Sequence, residues 1–403
     1  MATASIPTPE TEAVPVTQPP VPEGAVLVCL PTISAELLPA VVQHLRSAFA
    51  DLPLLLAGVP ASGEYASVEY LSARPQLGWV LASRDYAAAA ALSAQYEPSA
   101  VLLLGTDALT LSEESLRALV ETVRGGVDLA LPRYKVGPSD ALVSRALMYP
   151  LTRVLFAVDI HFPLPADAAL SPRLLARLSF VAGRSAGPQG TESLLWPVAE
   201  AAIAGLAIRE VEMPARVLPA PTESDLNAVL ASVAGSLFAD VEAKATFWQR
   251  ARNITQTPIA SATADQSVSE SSADLQEISA MMDAFRLASN NLGEIWALVL
   301  PPQSLLAVKK LARMSPEEFT LDAGLWARIV YDFALAFHAR TLNRGHLLGA
   351  MTPLYLAWVA SQIRAAGENE ERAARLAEAT AQGFEREKPY FVSRWRWPDR
   401  FNP

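Results

Sequence analysis

The chain has 403 residues with a formal net charge of −10, and 51% of its residues are hydrophobic. This length accommodates two domains or one large one, with enough apolar residues for a sizeable core. The acidic balance argues against a nucleic-acid-binding protein, because that affinity comes largely from lysine and arginine on phosphates.

Cys29 is the only cysteine, which excludes an intrachain disulfide and a cysteine-based zinc site. A single cysteine fits a reduced compartment, and we expect a cytoplasmic protein. Residues 1–24 are rich in proline and lack a basic start followed by an apolar stretch, so we predict a disordered tail and no secretory signal. No uninterrupted apolar run reaches the length of about 18–20 residues that a membrane span needs.

Short apolar runs then alternate with amphipathic segments. The runs at 25–30, 53–58, 77–82, 100–104 and 127–131 predict strands, and the segments at 36–49, 84–96 and 112–124 predict helices. Such alternation is typical of a mostly parallel sheet covered by helices on both faces. Because ligands bind beyond the carboxyl ends of the strands in these sheets, the loop after Leu104 is the expected edge of a site.

In the second half of the chain, helical patterns predominate over strand patterns. Helical patterns at 148–157, 173–180 and 191–205 precede a late strand at 207–213 and a long helix at 225–252. The predicted α/β domain therefore covers residues 25–252, and a flexible linker rich in Ser, Thr, Ala and Gln covers 253–273. Residues 274–403 read as a helical C-terminal domain.

Two stretches carry a family resemblance: SRALMYPLTRVLF at 144–156, and a long helical segment at 326–363 that is followed by FEREKPYFVSRW at 384–395. Together they resemble bacterial GT-A-fold glycosyltransferases of the mannosylglycerate and glucosylglycerate synthase type. The resemblance implies an α/β, GT-A-like (Rossmann-like) domain with a mostly parallel sheet, followed by an all-α C-terminal domain. It further implies a homodimer that moves a sugar from a nucleotide sugar to a small hydroxy-acid such as glycerate, with retention and with Mg²⁺ or Mn²⁺.

The motif that holds the metal in this family is Asp-x-Asp, in which two carboxylates face one divalent ion. The matching positions here are Gly105, Thr106 and Asp107, so one carboxylate is replaced by glycine. The resemblance assigns diphosphate binding to Thr106 and Asp107, with Asp107 as metal ligand. The alternative is that Asp107 is an ordinary turn residue. Leu218 stands where the family has a metal-binding histidine.

The donor-sugar positions are also altered. The family has a Gly-Gly-acidic turn, whereas this chain reads Pro165, Ala166 and Asp167. Proline and alanine add bulk where glycine lets the backbone approach a ligand. Asp167 and Glu192 match catalytic positions, although Glu192 lies two residues from the expected position and also suits a helix start. Arg84 is a candidate for diphosphate binding or, alternatively, a solvated helix-start residue.

Further candidates lie outside the donor motifs. The resemblance assigns acceptor binding to a group whose arginines can fork a carboxylate or, alternatively, form an interdomain ion pair: Arg133, Lys135, Asp140, Arg145 and Arg153. A polar group in the helical domain matches the family but also suits buried contacts between helices: Tyr331, Asp332, His338 and His346.

Two hypotheses follow. The first is an active, metal-assisted retaining transferase that uses Asp107 and Asp167 and takes a nucleotide sugar and a small hydroxy-acid. The second is a glycosyltransferase-like protein with reduced or lost catalysis, which needs no metal. The combined loss of metal ligands and close-approach glycines favours the second, because little remains to stabilise the leaving diphosphate.

Overall fold

The computed structural model describes residues 23–58, 81–164, 166–185, 194–215, 226–261 and 275–397. Within these ranges one sheet has seven strands: β1 (Val26–Leu30), β2 (Leu54–Gly58), β3 (Ala100–Leu103), β4 (Leu129–Lys135), β5 (Ala168–Leu170), β6 (Ile208–Ala215) and β7 (Ile259–Ser261). Their order is β2-β1-β3-β5-β4-β6-β7, and only β5 runs antiparallel to its neighbours. The predicted mostly parallel sheet is confirmed.

The apolar runs explain the central strands. All five residues of β1 and all four of β3 are buried, as expected for strands covered on both faces. The sequence did not predict β5 or β7, because three-residue strands are too short for a periodic pattern. The predicted strand at 77–82 falls mostly outside the described residues. Only Leu81 and Ala82 are described there, and Ala82 forms an isolated bridge with Leu194.

Helices cover both faces of the sheet. One face carries α1 (Leu38–Ala48) and α3 (Glu113–Arg124), and the other carries α2 (Ser83–Tyr96) and α5 (Pro172–Ser185). The side chain of Ser112 accepts a hydrogen bond from the Ser115 main chain and begins α3, as its sequence predicts. The result is a three-layer α/β unit with a separate apolar core on each side of the sheet.

The remaining helices form a larger assembly. Their bounds are α4 (Tyr149–Phe156), α6 (Pro197–Ile203), α7 (Leu226–Ala243), α8 (Ala245–Trp248), α9 (Leu275–Asn291), α10 (Gly293–Val299), α11 (Pro302–Ala312), α12 (Ala323–Ala339), α13 (Arg344–Ala366) and α14 (Glu370–Arg396). A single-turn π-helix at Ser144–Met148 precedes α4. The all-helical pattern predicted after residue 274 is confirmed within the described residues.

One apolar cluster joins α4 and α7 to the C-terminal helices. Within it, α14 crosses α12 so closely at Gly383 that a Cβ there would lie 2.8 Å from the Ala323 backbone. Trp326 of α12 donates its indole N–H to the carbonyl of Ala146 at 2.9 Å, and so ties α12 to the segment before α4.

In the part of the chain that the structure describes, α7 is the one helix long and apolar enough to cross a membrane, judged by length and composition alone. Its inner face packs in the helical core through residues such as Val233, Leu237 and Phe238. The predicted continuous helix at 225–252 is instead divided at Lys244 into α7 and α8.

Candidate functional site

The sheet topology marks the carboxyl ends of β1 and β3 as the expected place of a ligand site. From β1 the chain crosses to β2 on one side and then returns to β3 on the other, so β1 and β3 flank the point where the strand order reverses. Ligands of doubly wound sheets bind beside such a point. On the β3 side, this edge is formed by Gly105, Thr106 and Asp107, as the sequence predicted.

Asp167 is the central carboxylate at this edge and is fully buried. Its Oδ1 accepts the main-chain N–H of Gly105 at 2.9 Å, and its Oδ2 accepts the hydroxyl of Tyr134 at 2.8 Å. Tyr134 in turn packs edge-on against Phe162, with ring centroids 5.4 Å apart. Both carboxylate oxygens are therefore committed to holding the segment before β5 against β3 and β4.

Gly105 lies against the chain at Ala166. A Cβ built on Gly105 would lie 2.8 Å from the Cβ of Ala166, a distance that real side chains essentially never reach. Glycine at 105 is thus explained by packing, and the methyl group of Ala166 fills space next to the strand end. An aspartate at position 105 does not fit this backbone arrangement.

A divalent metal does not fit the described residues at this edge. Mg²⁺ and Mn²⁺ are held by several oxygen ligands, usually including one or two carboxylates. Here Gly105 supplies no side chain and Asp167 is engaged through both oxygens. No group of three or more His, Cys, Asp or Glu side chains suited to a metal occurs among the described residues.

The other predicted donor-side residues are spread along the edge. Asp107 is half-buried and precedes a 3-10 turn at Ala108–Thr110, and its carbonyl accepts the Thr110 N–H at 2.9 Å and the Thr110 hydroxyl at 2.7 Å. This is the turn role that the sequence left open as the alternative. Thr106 is exposed. Arg84 lies in the first turn of α2, with Nε 3.9 Å from Asp85.

Arg145 and Asp140 shape the loop after β4. The Arg145 guanidinium donates to the carbonyl of Pro138 at 2.9 Å, that of Gly137 at 3.1 Å and that of Val136 at 3.4 Å. Burial lowers the pKa of Arg145, and the nearby Asp140 carboxylate opposes that effect. Asp140 itself accepts the N–H of Gly137 at 3.1 Å. Both predicted acceptor residues thus hold the main chain of their own loop.

Arg133 and Lys135 lie near the end of β4, where Lys135 is exposed. Arg133 is 35% exposed and its Nη1 lies 3.8 Å from Oε2 of Glu210, which is almost completely buried on β6. Glu210 also contacts His161: Oε1 accepts the His161 main-chain N–H at 2.7 Å, and Oε2 lies 3.1 Å from Nδ1 of the imidazole. A buried acid on β6 thus joins an arginine and a histidine.

Arg153 sits in the interface between α4 and α14. Its guanidinium lies 2.6 Å from Glu378, 2.7 Å from Glu385 and 3.2 Å from Asp159, and it also donates to the Tyr149 hydroxyl at 2.6 Å. Burial opposes its charge, but the hydrogen bonds to Glu378 and Tyr149 outweigh burial and raise the pKa of Arg153. The ion pair that the sequence analysis gave as the alternative to acceptor binding is the observed arrangement.

The four polar residues predicted in the helical domain do not form one cluster. Tyr331 donates to the Phe384 carbonyl at 2.8 Å, and Asp332 accepts from Tyr390 at 2.7 Å and from Arg394. His338 stacks on Trp395, while His346 is exposed in the first turn of α13. Tyr331 and Asp332 make the buried interhelical contacts that were the stated alternative.

Several predicted positions lie outside the described residues: Glu192, Pro165 and Leu218, together with the turn after β2. Other residues were not singled out from the sequence but hold the site and its interface: Glu210, Glu378, Glu385 and Lys388. Glu210 gave no distinct signal, since the charged residues Arg209 and Glu212 lie in the same strand. The charged residues of α14 gave no signal in the sequence either, because a charge on a long helix usually marks a solvated face.

Comparison with protein-family models finds no match, and comparison with curated proteins finds none either. Among solved structures, the chain is similar to glucosyl-3-phosphoglycerate synthase from Mycobacterium tuberculosis in complex with uridine diphosphate, with 14% identity, 53% of this chain and 80% of that chain covered, and a TM-score of 0.33. The same enzyme with Mn²⁺, uridine diphosphate and phosphoglyceric acid gives 14% identity, 53% and 79% coverage, and a TM-score of 0.34. Neither value is high enough to transfer a function.

Proposed function

We propose that this chain is a glycosyltransferase-like protein that does not carry out metal-assisted glycosyl transfer. The observation that carries the proposal is the closed sheet edge after β3. There Gly105 packs against Ala166, and Asp167 is buried with both oxygens hydrogen-bonded. The resemblance in the segments at 144–156 and 326–395 supports the ancestry, and the reversal of strand order at β1 and β3 supports a binding role.

The chemistry of transfer explains why this edge matters. A nucleotide diphosphate leaves with negative charge, and enzymes stabilise that charge with a metal ion or with fixed cationic and N–H groups. Arg145 and Arg153, which the resemblance suggested for ligand binding, are occupied by carbonyls and carboxylates within the protein. The described residues therefore offer few interactions with the diphosphate that would become stronger as its negative charge develops.

A donor assay tests the proposal. The protein is incubated with UDP-glucose, Mg²⁺ or Mn²⁺, and D-glycerate or 3-phosphoglycerate, and released UDP and glycosylated product are both measured. We expect neither above the rate without protein. Metal-dependent turnover that is lost in an Asp107→Asn variant would contradict the proposal and support the active-transferase alternative.

A variant with a reopened sheet edge tests whether the packing of Gly105 against Ala166 is what prevents metal binding. Ala166→Gly removes the methyl group that faces Gly105, and Gly105→Asp in that background places a carboxylate at the strand end. If Ala166 excludes a ligand-holding side chain, the double variant gains Mn²⁺ affinity over the unmodified protein and over Ala166→Gly alone. If the folded double variant gains none, the closed edge is not what prevents metal binding.

A further inference from the structure

His161 is held in one orientation from two sides. Its Nδ1 lies 3.1 Å from Oε2 of Glu210, and its ring stacks on Tyr149 with centroids 4.6 Å apart and planes 14° apart. Its main-chain N–H donates to the other oxygen of Glu210 at 2.7 Å. The imidazole is therefore fixed by a carboxylate that is itself only 1% exposed.

This geometry selects one tautomer. A carboxylate only accepts hydrogen bonds, so Nδ1 carries the proton that points at Glu210, and the neutral ring leaves a lone pair on Nε2. The His161 side chain is 29% exposed, and Nε2 has no hydrogen-bond partner in the described part of the chain. Nε2, the unprotonated nitrogen of the neutral ring, is therefore the ring nitrogen that a ligand can reach.

The surroundings can support a charged imidazole. Glu210 faces Nδ1 from β6, and the partly exposed Arg133 reaches toward the same carboxylate from β4. From α4, Tyr149 lies under the ring, and its hydroxyl connects to Asp159, Glu378 and Arg153. The carboxylate that orients the ring also stabilises it after a proton arrives at Nε2.

We propose that His161 accepts a proton through Nε2 from the hydroxyl group of a ligand bound beside the imidazole, next to β4 and β6, with Glu210 as its positioning residue. In that step the O–H bond breaks, the new N–H bond forms on Nε2, and the electron pair stays on the ligand oxygen. The imidazolium pairs with Glu210, as in the acid–histidine pairs of hydrolases. This inference needs neither a nucleotide nor a metal, so it stands apart from the proposed function.

The chain contains a matched control. His338 also has Nδ1 3.1 Å from a glutamate, Glu242, and stacks on an aromatic ring, that of Trp395 at 4.1 Å. That pair is more exposed, with 43% of His338 and 31% of Glu242 accessible. Solvent screens an exposed pair, so Glu242 influences its histidine less than the buried Glu210 influences His161.

Carbethoxylation by diethyl pyrocarbonate tests the proposal on the full chain, because the reagent reacts with an unprotonated imidazole nitrogen. Modification of each histidine is followed by mass spectrometry at about pH 8.5, well above the ordinary pKa of an imidazole, so that the rates compare unprotonated rings. We expect His161 to react, and Glu210→Gln to slow it by about tenfold, whereas Glu242→Gln changes His338 by less than about twofold. An unchanged His161 rate in a folded Glu210→Gln variant would overturn the assignment.

Two further measurements keep the test decisive. Hydrolysis of 4-nitrophenyl acetate reports the lone pair on Nε2, which takes the acetyl group as 4-nitrophenolate leaves and then loses it to water. His161→Gln should lower the protein-dependent rate several-fold, and His338→Gln should not. Equal rates for the unmodified protein and His161→Gln contradict the proposal. If Glu210→Gln does not fold, long-range ¹⁵N spectra of the unmodified protein decide the tautomer, and a proton on Nε2 of His161 overturns the account.

Discussion

At the scale of single residues, Gly105 shows how packing explains what looked like a lost ligand. The family resemblance presented glycine as a missing carboxylate. In the structure the same glycine is required by its neighbour, since a Cβ would lie 2.8 Å from that of Ala166. The altered residues at 105 and 166 therefore fit one another and form a consistent arrangement rather than two independent losses.

This fit predicts the cost of adding one methyl group. Gly105→Ala should lower the free energy of unfolding by about 1–3 kcal/mol, because an overpacked site must shift its backbone. Gly349 is the control: it is exposed within α13, and a Cβ there meets nothing within 4 Å. Gly349→Ala should raise stability by up to about 1 kcal/mol. Denaturant titration measures both, and a neutral Gly105→Ala would contradict the packing argument.

The Asp128 carboxylate predicts how the free energy of unfolding depends on pH. It lies just before β4 and accepts from Arg173 at 2.7 Å, from Ser171 at 2.8 Å and from the Ala207 main chain at 3.0 Å. Burial alone would raise the pKa of Asp128, but these hydrogen bonds outweigh it and lower the pKa below 3.8. A lowered pKa stabilises the fold above about pH 4, and this contribution is lost as pH falls below that value.

Asp128→Asn should therefore cost about 1–3 kcal/mol at pH 7 and less at about pH 3, below the ordinary pKa of a carboxyl group, where part of this contribution is lost. Thermal or denaturant unfolding at the two pH values checks this. Asp51→Asn, at an exposed ion pair with Arg117, should change stability little at either pH. An Asp128→Asn penalty that is the same at both pH values would rule out the charge as its cause.

At the scale of elements, the interface between α4 and α14 is fixed by cations. Arg153 contacts three carboxylates, and Lys388 of α14 donates to the carbonyls of Val154 and Ala251 at 2.7 Å each. The Val154 carbonyl lies in the last turn of α4, where carbonyls lack partners within the helix. These contacts attach α14 to the segment that leads into the sheet edge.

Arg153→Lys should lower the free energy of unfolding by about 1–3 kcal/mol, because one ammonium cannot reproduce a planar fork among three carboxylates. The control is Arg375→Lys, also on α14, whose ion pair with Glu371 is largely exposed. It should change stability by less than about 0.5 kcal/mol. Equal effects of the two substitutions in denaturant titrations would argue against the interface described here.

The elements also show what the sequence could and could not predict. Long or strongly apolar segments, such as those of β1, β3 and α3, were predicted to within a few residues because their periodicity is clear. β5 and β7 were missed, since three residues carry no pattern. The ends of α7 and α8 were missed because the chain turns at Lys244 without a glycine or proline there.

The candidate site was predictable only in part. Its place at the carboxyl end of β3 follows from the alternation of strands and helices, and Asp167 was singled out by resemblance. The partners of Asp167 were not predictable, because Gly105 lies 62 residues away and Tyr134 lies 33 away along the chain. Likewise, Glu210 and His161 are brought together only by the fold.

At the scale of the whole molecule, the chain combines a three-layer α/β unit with a helical assembly that shares a core with α4 and α7. Its polar groups near the sheet edge are largely engaged with one another, and this is the central claim: the edge is built for packing rather than for metal-assisted transfer. Among the described residues, His161 keeps a ring nitrogen without a hydrogen-bond partner.

Isothermal titration calorimetry with UDP, in the presence of Mn²⁺ or of a chelator, tests that claim most directly. We predict that any heat of UDP binding is the same with Mn²⁺ and with chelator, because the described edge lacks a fitting set of metal ligands. Micromolar binding of UDP that requires Mn²⁺ and is lost in Asp107→Asn would contradict the account.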